Sequence, residues 1–165
     1  MSGNISLLVR AFLVYVRPVL EYSMVVWSPY LKQDIMKIEK VQRRFTKRLR
    51  GYRHMSYVDR LAKLGLPSLE LGRLYLDLIY CYKVVFGLVK LNSIQSADLF
   101  ELSTVTATRG HSYKLYKPRC TVNVRVNFFA CRVVNFWNSL PDFVSFVSLY
   151  TFKRSLMDVD FSKCV

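Results

Sequence analysis

Acidic side chains are scarce in this sequence. Its 165 residues include 25 Lys and Arg but 11 Asp and Glu, which gives a formal net charge of +14 at pH 7. The acids are scattered singly, apart from Asp158 and Asp160, so they do not form the carboxylate cluster that holds paired catalytic metal ions. P-loop, GxGxxG, HExxH and GxSxG motifs are also absent. The sequence therefore predicts a chain that is not an enzyme by itself and that uses no cofactor, metal ion or small-molecule substrate.

Closely spaced cysteines are missing too. Cys81, Cys120, Cys131 and Cys164 contain no CxxC pair, and neither histidine lies at ligand spacing from any of them. This pattern argues against a zinc knuckle and against a disulfide framework. We expect isolated, reduced, semi-buried thiols, which are typical of an intracellular protein, nuclear or cytoplasmic, that is not secreted.

No apolar run is long enough to cross a membrane. The most apolar stretch, residues 5–27, is interrupted by Arg10, Arg17 and Glu21, and no small-residue cleavage site follows it. We interpret it as two buried helical segments that meet near Pro18, because proline is tolerated in the first turn of a helix. The sequence predicts neither a transmembrane nor a targeting segment, and no membrane is expected as the partner.

Apolar residues make up 52% of the chain, enough to bury a core, and their spacing predicts a mainly α fold. One helical unit covers residues 1–54 and a helical C-terminal segment covers residues 55–165. Ser56 and Gly65 mark the start and end of a short helix, and the last helix starts after Ser148. Alternation of polar and apolar residues near 104–126 predicts a small β-hairpin.

Basic residues concentrate in VQRRFTKRLRGYRH, residues 41–54, which contains no acid. A helix over 31–49 would place Lys40, Arg43, Arg44, Lys47 and Arg50 near one face. Its other face would pack on the N-terminal helices and comprises Ile35, Ile38, Val41, Phe45 and Leu49. Like charges at helical spacing repel by a few tenths of a kcal/mol per pair, roughly, so this stripe favours a polyanionic partner, nucleic acid first and an acidic membrane surface second. A solubilising, merely solvated face is the alternative.

Five stretches occur here in the order found in one protein family. They are YVRPVLEYSMVVWSPYLKQDIMKIEKVQRRFTKRLRG, LGLPSLELGRLYLDLIYCYKVVFG, TRGHSYKLYKPR, FFACRVVNFWNSLP and SLYTFKRSL. Together they resemble the region after the catalytic palm in jockey-like non-LTR retrotransposon (LINE-type) reverse transcriptases, over nearly the whole chain. In that family the first stretch looks like the thumb, and the later ones belong to the C-terminal segment.

The resemblance implies a supporting role, in which the thumb holds RNA or an RNA–DNA template–primer duplex by its phosphates. That role falls to one group of basic residues, with Arg17 packing nearby: Lys40, Arg43, Arg44, Lys47, Arg48 and Arg50. The family's C-terminal segment helps to engage template RNA, which implies a second group: Arg109, His111, Lys114, Lys117 and Arg119. Tyr113 and Tyr116 are available to stack on unpaired bases, or else to pack within the hairpin.

The palm aspartates of the family have no counterpart in this chain. The chain starts with Met-Ser-Gly just upstream of the thumb-like segment, which implies a truncated or decayed copy of the element, or a domesticated fragment. The alternative is a protein-interaction or structural fragment. The face that would dock on the missing palm, with Phe12, Tyr15 and Trp27, would then be exposed and would drive self-association.

Overall fold

The computed structural model describes residues 4–89, 99–104 and 110–161. These residues are mainly helical, which confirms the predicted fold class. The described helices are α1 (Ile5–Ala11), a π-helical turn (Phe12–Val16), α2 (Arg17–Glu21), α3 (Met24–Trp27), α4 (Lys32–Arg48), α5 (Tyr57–Leu64), α6 (Leu69–Val85), α7 (Asn123–Val126), α8 (Phe129–Asn138) and α9 (Leu149–Leu156).

Local capping signals account for the ends of α5 and α9. The Ser56 hydroxyl accepts a hydrogen bond from the Asp59 backbone N–H, and Gly65 ends α5 with a left-handed φ of 63°. The Ser148 hydroxyl likewise accepts from the Thr151 N–H, and the Thr151 hydroxyl accepts in return from the Ser148 N–H. Both predicted starts are confirmed, because each cap satisfies backbone donors that the first helical turn leaves unpaired.

The predicted β-hairpin near residues 104–126 is wrong in the part that the structure describes. The β-pairing there amounts to an isolated antiparallel bridge between Leu102 and Leu115, and Asn123–Val126 forms a helix instead of a strand. Because this stretch has no partner strand in the described residues, its backbone groups form local hydrogen bonds instead. The Val126 N–H, for example, donates to the Val122 oxygen at 3.1 Å. Residues 105–109 of the predicted hairpin lie outside the described residues.

The chain forms two compact units, residues 1–73 and 74–165. The division predicted from the sequence, after His54, falls earlier in the chain. Residues 55–73 belong to the first unit because α4 hydrogen-bonds to Tyr57, to the Pro67 carbonyl and to the Leu69 N–H.

The N-terminal segment is helical as predicted, but its predicted burial is wrong. From residue 5 to residue 21 the buried side chains are Phe12 and Arg17. Large apolar side chains face outward, among them Tyr15, which is 76% exposed, and Val19, which is 71% exposed. The amphipathic pattern therefore places one narrow stripe inward and leaves much of the apolar surface uncovered.

A π-helical turn over Phe12–Val16 carries the helix through Pro18. Proline has no backbone N–H, and in a regular α-helix its ring clashes with the carbonyl oxygen four residues earlier. Here the Arg17 N–H donates to the Phe12 oxygen, five residues back, so the turn just before Pro18 is wider. The wide turn makes room for the ring without breaking the helix.

The second unit is built on aromatic packing, next to which lies an ion pair. Trp137 and Phe152 are completely buried, with ring centroids 5.7 Å apart, and the ring of Phe146 lies 5.4 Å from each of them. Beside this core, the Arg132 guanidinium donates to both carboxylate oxygens of Asp77, at 2.8 and 2.9 Å. This bidentate pair joins α8 to α6 and neutralises two charges that burial would otherwise penalise.

Candidate nucleic-acid interface

The inward side of α4 is more polar than the helical wheel predicts. Its buried side chains are Glu39, Gln42 and Thr46, whereas Val41, expected in the core, is 39% exposed. Phe45 does pack inward, with its ring stacked on that of Phe12 at a centroid distance of 4.3 Å. The predicted docking face is therefore wrong in part, because polar side chains with hydrogen-bond partners occupy its centre.

Glu39 anchors α4 to the segment that follows it. Its two carboxylate oxygens accept hydrogen bonds from the Leu69 N–H, at 3.0 and 3.2 Å, at the start of α6, and one also accepts from the Tyr57 hydroxyl. The Gln42 amide nitrogen donates to the Pro67 carbonyl at 3.0 Å and to the Tyr57 oxygen at 3.3 Å. A carboxylate at the N-terminus of a helix also meets the positive end of the helix dipole, which strengthens the attachment of α4 to α6.

Tyr57 is held in its protonated state by this environment. Burial is the main cause that raises the pKa of Tyr57, and the hydrogen bond and the charge of Glu39 raise it further. The hydroxyl therefore stays a donor toward Glu39 at neutral pH. The Arg43 guanidinium lies over the Tyr57 ring, 4.7 Å from its centroid, in a cation–π contact that supports one basic side chain of α4.

The outward side of α4 and the turn after it form one cationic surface, which we call the α4 basic surface. All six basic residues predicted for this region are exposed. Among the residues that the structure describes, none of the six forms an ion pair with an acid. The surface consists of Lys40, Arg43, Arg44, Lys47, Arg48 and Arg50.

Two depressions follow this surface, and both are lined with cations. The first, of about 390 Å³, is lined by apolar side chains that include Val16 and Phe45 and by the cations Lys37, Lys40, Arg44 and Arg48, of which Lys37 is paired with Asp34 at 2.9 Å. The second, of about 470 Å³, is lined by Lys47, Arg48, Leu49, Arg50, Gly51 and Arg53. The sequence-based site omits Lys37 and Arg53. Arg53 belongs to the basic run of residues 41–54, and Lys37 lies one helical turn before Lys40, so both signals were present in the sequence.

Arg17 does not contribute to this surface. Its side chain is buried, its Nε donates to the Glu21 carboxylate at 2.7 Å, and its Nη1 donates to the Pro67 carbonyl at 3.4 Å. Arg17 is therefore a structural residue beneath the α4 region, and its charge is neutralised by Glu21.

The second predicted group of basic residues is only partly brought to the surface. Lys117 and Arg119 are exposed, Lys114 is half-buried, His111 is buried, and Arg109 lies outside the described residues. The structure therefore supports no continuous cationic surface from these five, and His111 is not accessible to a phosphate.

The two tyrosines of this segment differ in their packing. The Tyr113 ring lies against Phe86 and Phe146, with centroid distances of 5.2 and 5.0 Å. This favours the packing role for Tyr113, although within a loop and not a hairpin. Tyr116 is 56% exposed and remains available to a ligand.

His111 is a core residue of the second unit. Its Nε2 lies 2.8 Å from the Trp137 carbonyl oxygen, and its ring centroid lies 4.8 Å from that of Phe146. Its Nδ1 is buried and has no hydrogen-bond partner among the described residues. Burial lowers the pKa of His111, with a smaller contribution in the same direction from Lys114, while the Trp137 carbonyl and Asp142 oppose it. The imidazole is therefore neutral in the folded protein at pH 7.

No family model, curated protein or solved structure matches this chain. Within the described ranges, no helix is both long and apolar enough to cross a membrane. Nor do those ranges hold three or more His, Cys, Asp or Glu residues grouped so that they could share a metal ion. The interpretation of the α4 basic surface therefore depends on its own geometry and charge.

We expect the Glu39→Gln variant to lose about 1–3 kcal/mol of unfolding free energy, because the charged acceptor for Tyr57 and for the first N–H of α6 is removed. Urea denaturation followed by far-UV circular dichroism measures the change. The control is Glu70→Gln, which removes an acid from the first turn of α6 and should cost less than about 1 kcal/mol. Equal losses in the two variants would contradict the assigned role of Glu39.

Acidification should destabilise the second unit through His111. The unfolded chain has the ordinary histidine pKa of 6.5 and the folded value is lower, so the unfolded state binds the proton first. The contribution of the neutral His111 side chain to the free energy of unfolding should therefore be fully present above pH 6.5 and should be lost as the pH falls below it. Denaturation midpoints between about pH 7.5 and about pH 5.5 test this. His111→Gln should flatten the dependence of the midpoint on pH, whereas His54→Gln, at an exposed position, should leave it unchanged. The same pH dependence in the native chain and in both variants would refute the role of His111.

Proposed function

We propose that this chain is a non-catalytic, thumb-like segment of a retrotransposon reverse transcriptase of the LINE type, which binds RNA or an RNA–DNA duplex through the α4 basic surface. The observation that carries the proposal is the set of six exposed cations on one helix and its following turn, unpaired with acids in the described part of the chain. Such a surface repels itself until a polyanion neutralises it. Nucleic acid is the polyanion that the family resemblance indicates, and a nuclear or cytoplasmic location would bring the two together.

The dimensions of the surface suit a phosphate backbone. From Lys40 to Arg48 the helix rises by about 12 Å, at about 1.5 Å per residue. A duplex carries one phosphate per roughly 1.7 Å of its axis when both strands are counted, so about seven phosphates lie along this length on all sides of the duplex. Guanidinium groups bind phosphate oxygens in a bidentate manner, and four of the six cations are arginines. Contacts of this type fix the position of the duplex but do not read its sequence.

In this proposal the chain leaves bond formation to a palm domain that carries the catalytic aspartates. The α4 basic surface would hold the template–primer duplex, and Lys117, Arg119 and Tyr116 of the second unit would supply additional contacts to single-stranded RNA. Lys117 and Arg119 are exposed cations, and the exposed Tyr116 ring offers a face on which a base can stack.

Binding should depend steeply on salt and on four of these cations. If about six phosphates are neutralised, affinity should fall by roughly a thousandfold between about 50 and about 200 mM salt. The variant Arg43→Gln/Arg44→Gln/Lys47→Gln/Arg48→Gln should bind RNA, DNA and RNA–DNA duplexes more weakly. The slope of the logarithm of its binding constant against the logarithm of the salt concentration should be smaller in magnitude by about 3–4. Fluorescence anisotropy with labelled duplexes of unrelated sequence measures both quantities.

The matched control removes four exposed cations elsewhere, with Arg10, Arg125, Lys153 and Arg154 each replaced by Gln. Its net charge equals that of the first variant, so a non-specific effect of charge would weaken both proteins alike. A shallow salt slope for the native chain, or equal losses in the two variants, would overturn the proposal.

A second candidate function is protein interaction through the N-terminal segment. The supporting observation is the number of large apolar side chains that this segment exposes: Val26 is 82%, Tyr22 76%, Tyr15 76% and Trp27 44% exposed. Apolar surface of this extent tends to associate with a partner or with a second copy. Phe12, predicted for the same patch, is buried against Phe45 and does not take part.

Self-association of this kind should persist at high salt and should not require RNA, because apolar contacts are little screened. Size-exclusion chromatography with light scattering, at low and high salt and with and without an RNA oligonucleotide, measures the oligomeric state. Val19→Ser/Val26→Ser should shift the chain toward the monomer. Phe143→Ser/Val147→Ser, which changes two exposed apolar residues of the second unit, should have no such effect. A native chain that is monomeric throughout would eliminate this candidate.

A further inference from the structure

The second unit contains a pair of cysteines that the spacing of the sequence conceals. Cys120 and Cys131 are 11 residues apart, but their sulfur atoms lie 3.2 Å from each other. The sequence predicts isolated thiols, and for these two the structure corrects that expectation. Cys81, by contrast, is completely buried.

Local structure brings the two thiols together. Cys131 lies in the first turn of α8, where its N–H donates to the Phe128 carbonyl at 3.0 Å. The chain from Cys120 passes through α7 and the turn after it before it reaches this helix. The contact therefore lies entirely within the second unit and is set by one short helix and one turn.

Both thiols are accessible to a small reagent. Each side chain is half-buried, and both line a depression of about 310 Å³ whose wall also includes Lys117, Pro118 and Asn127. A lysine at this wall favours a negatively charged reagent. The peptide disulfides that exchange with protein thiols in cells carry carboxylates and are of this type.

We propose that Cys120 and Cys131 form a reversible dithiol–disulfide pair, oxidised by an anionic low-molecular-weight disulfide such as oxidised glutathione. The inference concerns a modification site that is separate from the proposed nucleic-acid binding and does not rest on it. What carries it is the contact between two accessible sulfur atoms, which need to approach from 3.2 Å to about 2.05 Å and to turn into the torsion of a disulfide for the bond to form.

The exchange proceeds in two balanced steps. The Cys120 thiol loses its proton to solvent, and its sulfur attacks one sulfur of the reagent. The S–S bond of the reagent breaks, and one reagent thiolate leaves with the bonding electron pair and takes up a proton. The Cys131 sulfur, after losing its own proton, then attacks the Cys120 sulfur of the mixed disulfide and releases the second reagent thiol. The protein loses two electrons and two protons, and the reagent gains both.

The environment of Cys131 disfavours its thiolate. Burial, together with the hydrogen bond and charge of Cys120, raises the pKa of Cys131 to about 11. Because the thiolate is the attacking species, this makes Cys131 the less favoured sulfur for the first step. Once Cys120 is bound in a mixed disulfide, Cys131 has an adjacent sulfur to attack.

The test uses the full chain in buffers with an increasing ratio of oxidised to reduced glutathione. Samples are quenched with acid, free thiols are alkylated, and the peptides are mapped by mass spectrometry without reduction. We expect Cys120 and Cys131 to disappear together as free thiols and to appear in one cross-linked peptide pair, while Cys81 stays reduced. Closing this short loop should raise the midpoint of thermal unfolding by on the order of 5–10 °C, reversibly with a dithiol reductant.

Single substitutions remove the partner thiol that would displace glutathione. In Cys131→Ser, Cys120 should therefore accumulate a stable mixed disulfide with glutathione, and in Cys120→Ser the same should hold for Cys131. Cys164→Ser is the control and should leave the cross-link unchanged. Cross-links that join either cysteine to Cys81 or Cys164, independent oxidation of the two thiols, or no cross-link at a large excess of oxidised glutathione would each overturn the proposal.

Discussion

A buried carboxylate, that of Glu39, is the group on which the arrangement of the first unit depends. Burying a charge is costly unless hydrogen bonds compensate it, and here they come from the Tyr57 hydroxyl and from the first N–H of α6. One side chain of α4 thus connects two later segments of the chain. Glu39 is also the last acid before the basic run, since the next acid in the sequence is Asp59. Because Glu39 is buried, the charged side chains on the outward side of α4 from Lys40 onward are all positive.

The parts of the fold that were predictable from the sequence are those decided by neighbours in the chain. The ends of α5 follow from Ser56 and Gly65, and the start of α9 from Ser148, because a capping side chain reaches only a few residues. The exposure of the six cations of the α4 basic surface was predictable for a similar reason. Charged side chains without a buried partner remain in water wherever the helix packs.

The features that the sequence did not reveal depend on segments that meet only in the folded chain. A helical wheel shows which residues share a face of the helix, and the apolar face is then assumed to be the buried one. It cannot show that the Pro67 carbonyl lies opposite Gln42, where it accepts a hydrogen bond from the Gln42 amide and so allows a polar residue to be buried. Alternation near residue 123 was compatible with a strand, but a strand also needs a partner. The contact between Cys120 and Cys131 and the burial of His111 are of the same kind, since no local pattern specifies either.

The wide turn before Pro18 has a consequence for how the N-terminal segment tolerates genetic change. Each residue of a helix advances the next by about 100° around the axis. A one-residue deletion within Phe12–Val16 would therefore rotate α1 relative to Arg17. It would also restore the narrower α-helical turn, in which the Pro18 ring clashes with the carbonyl oxygen four residues earlier. Replacing the outward side chains of the same turn leaves the backbone path intact. This stretch should accept many changes of residue identity but very few changes of length.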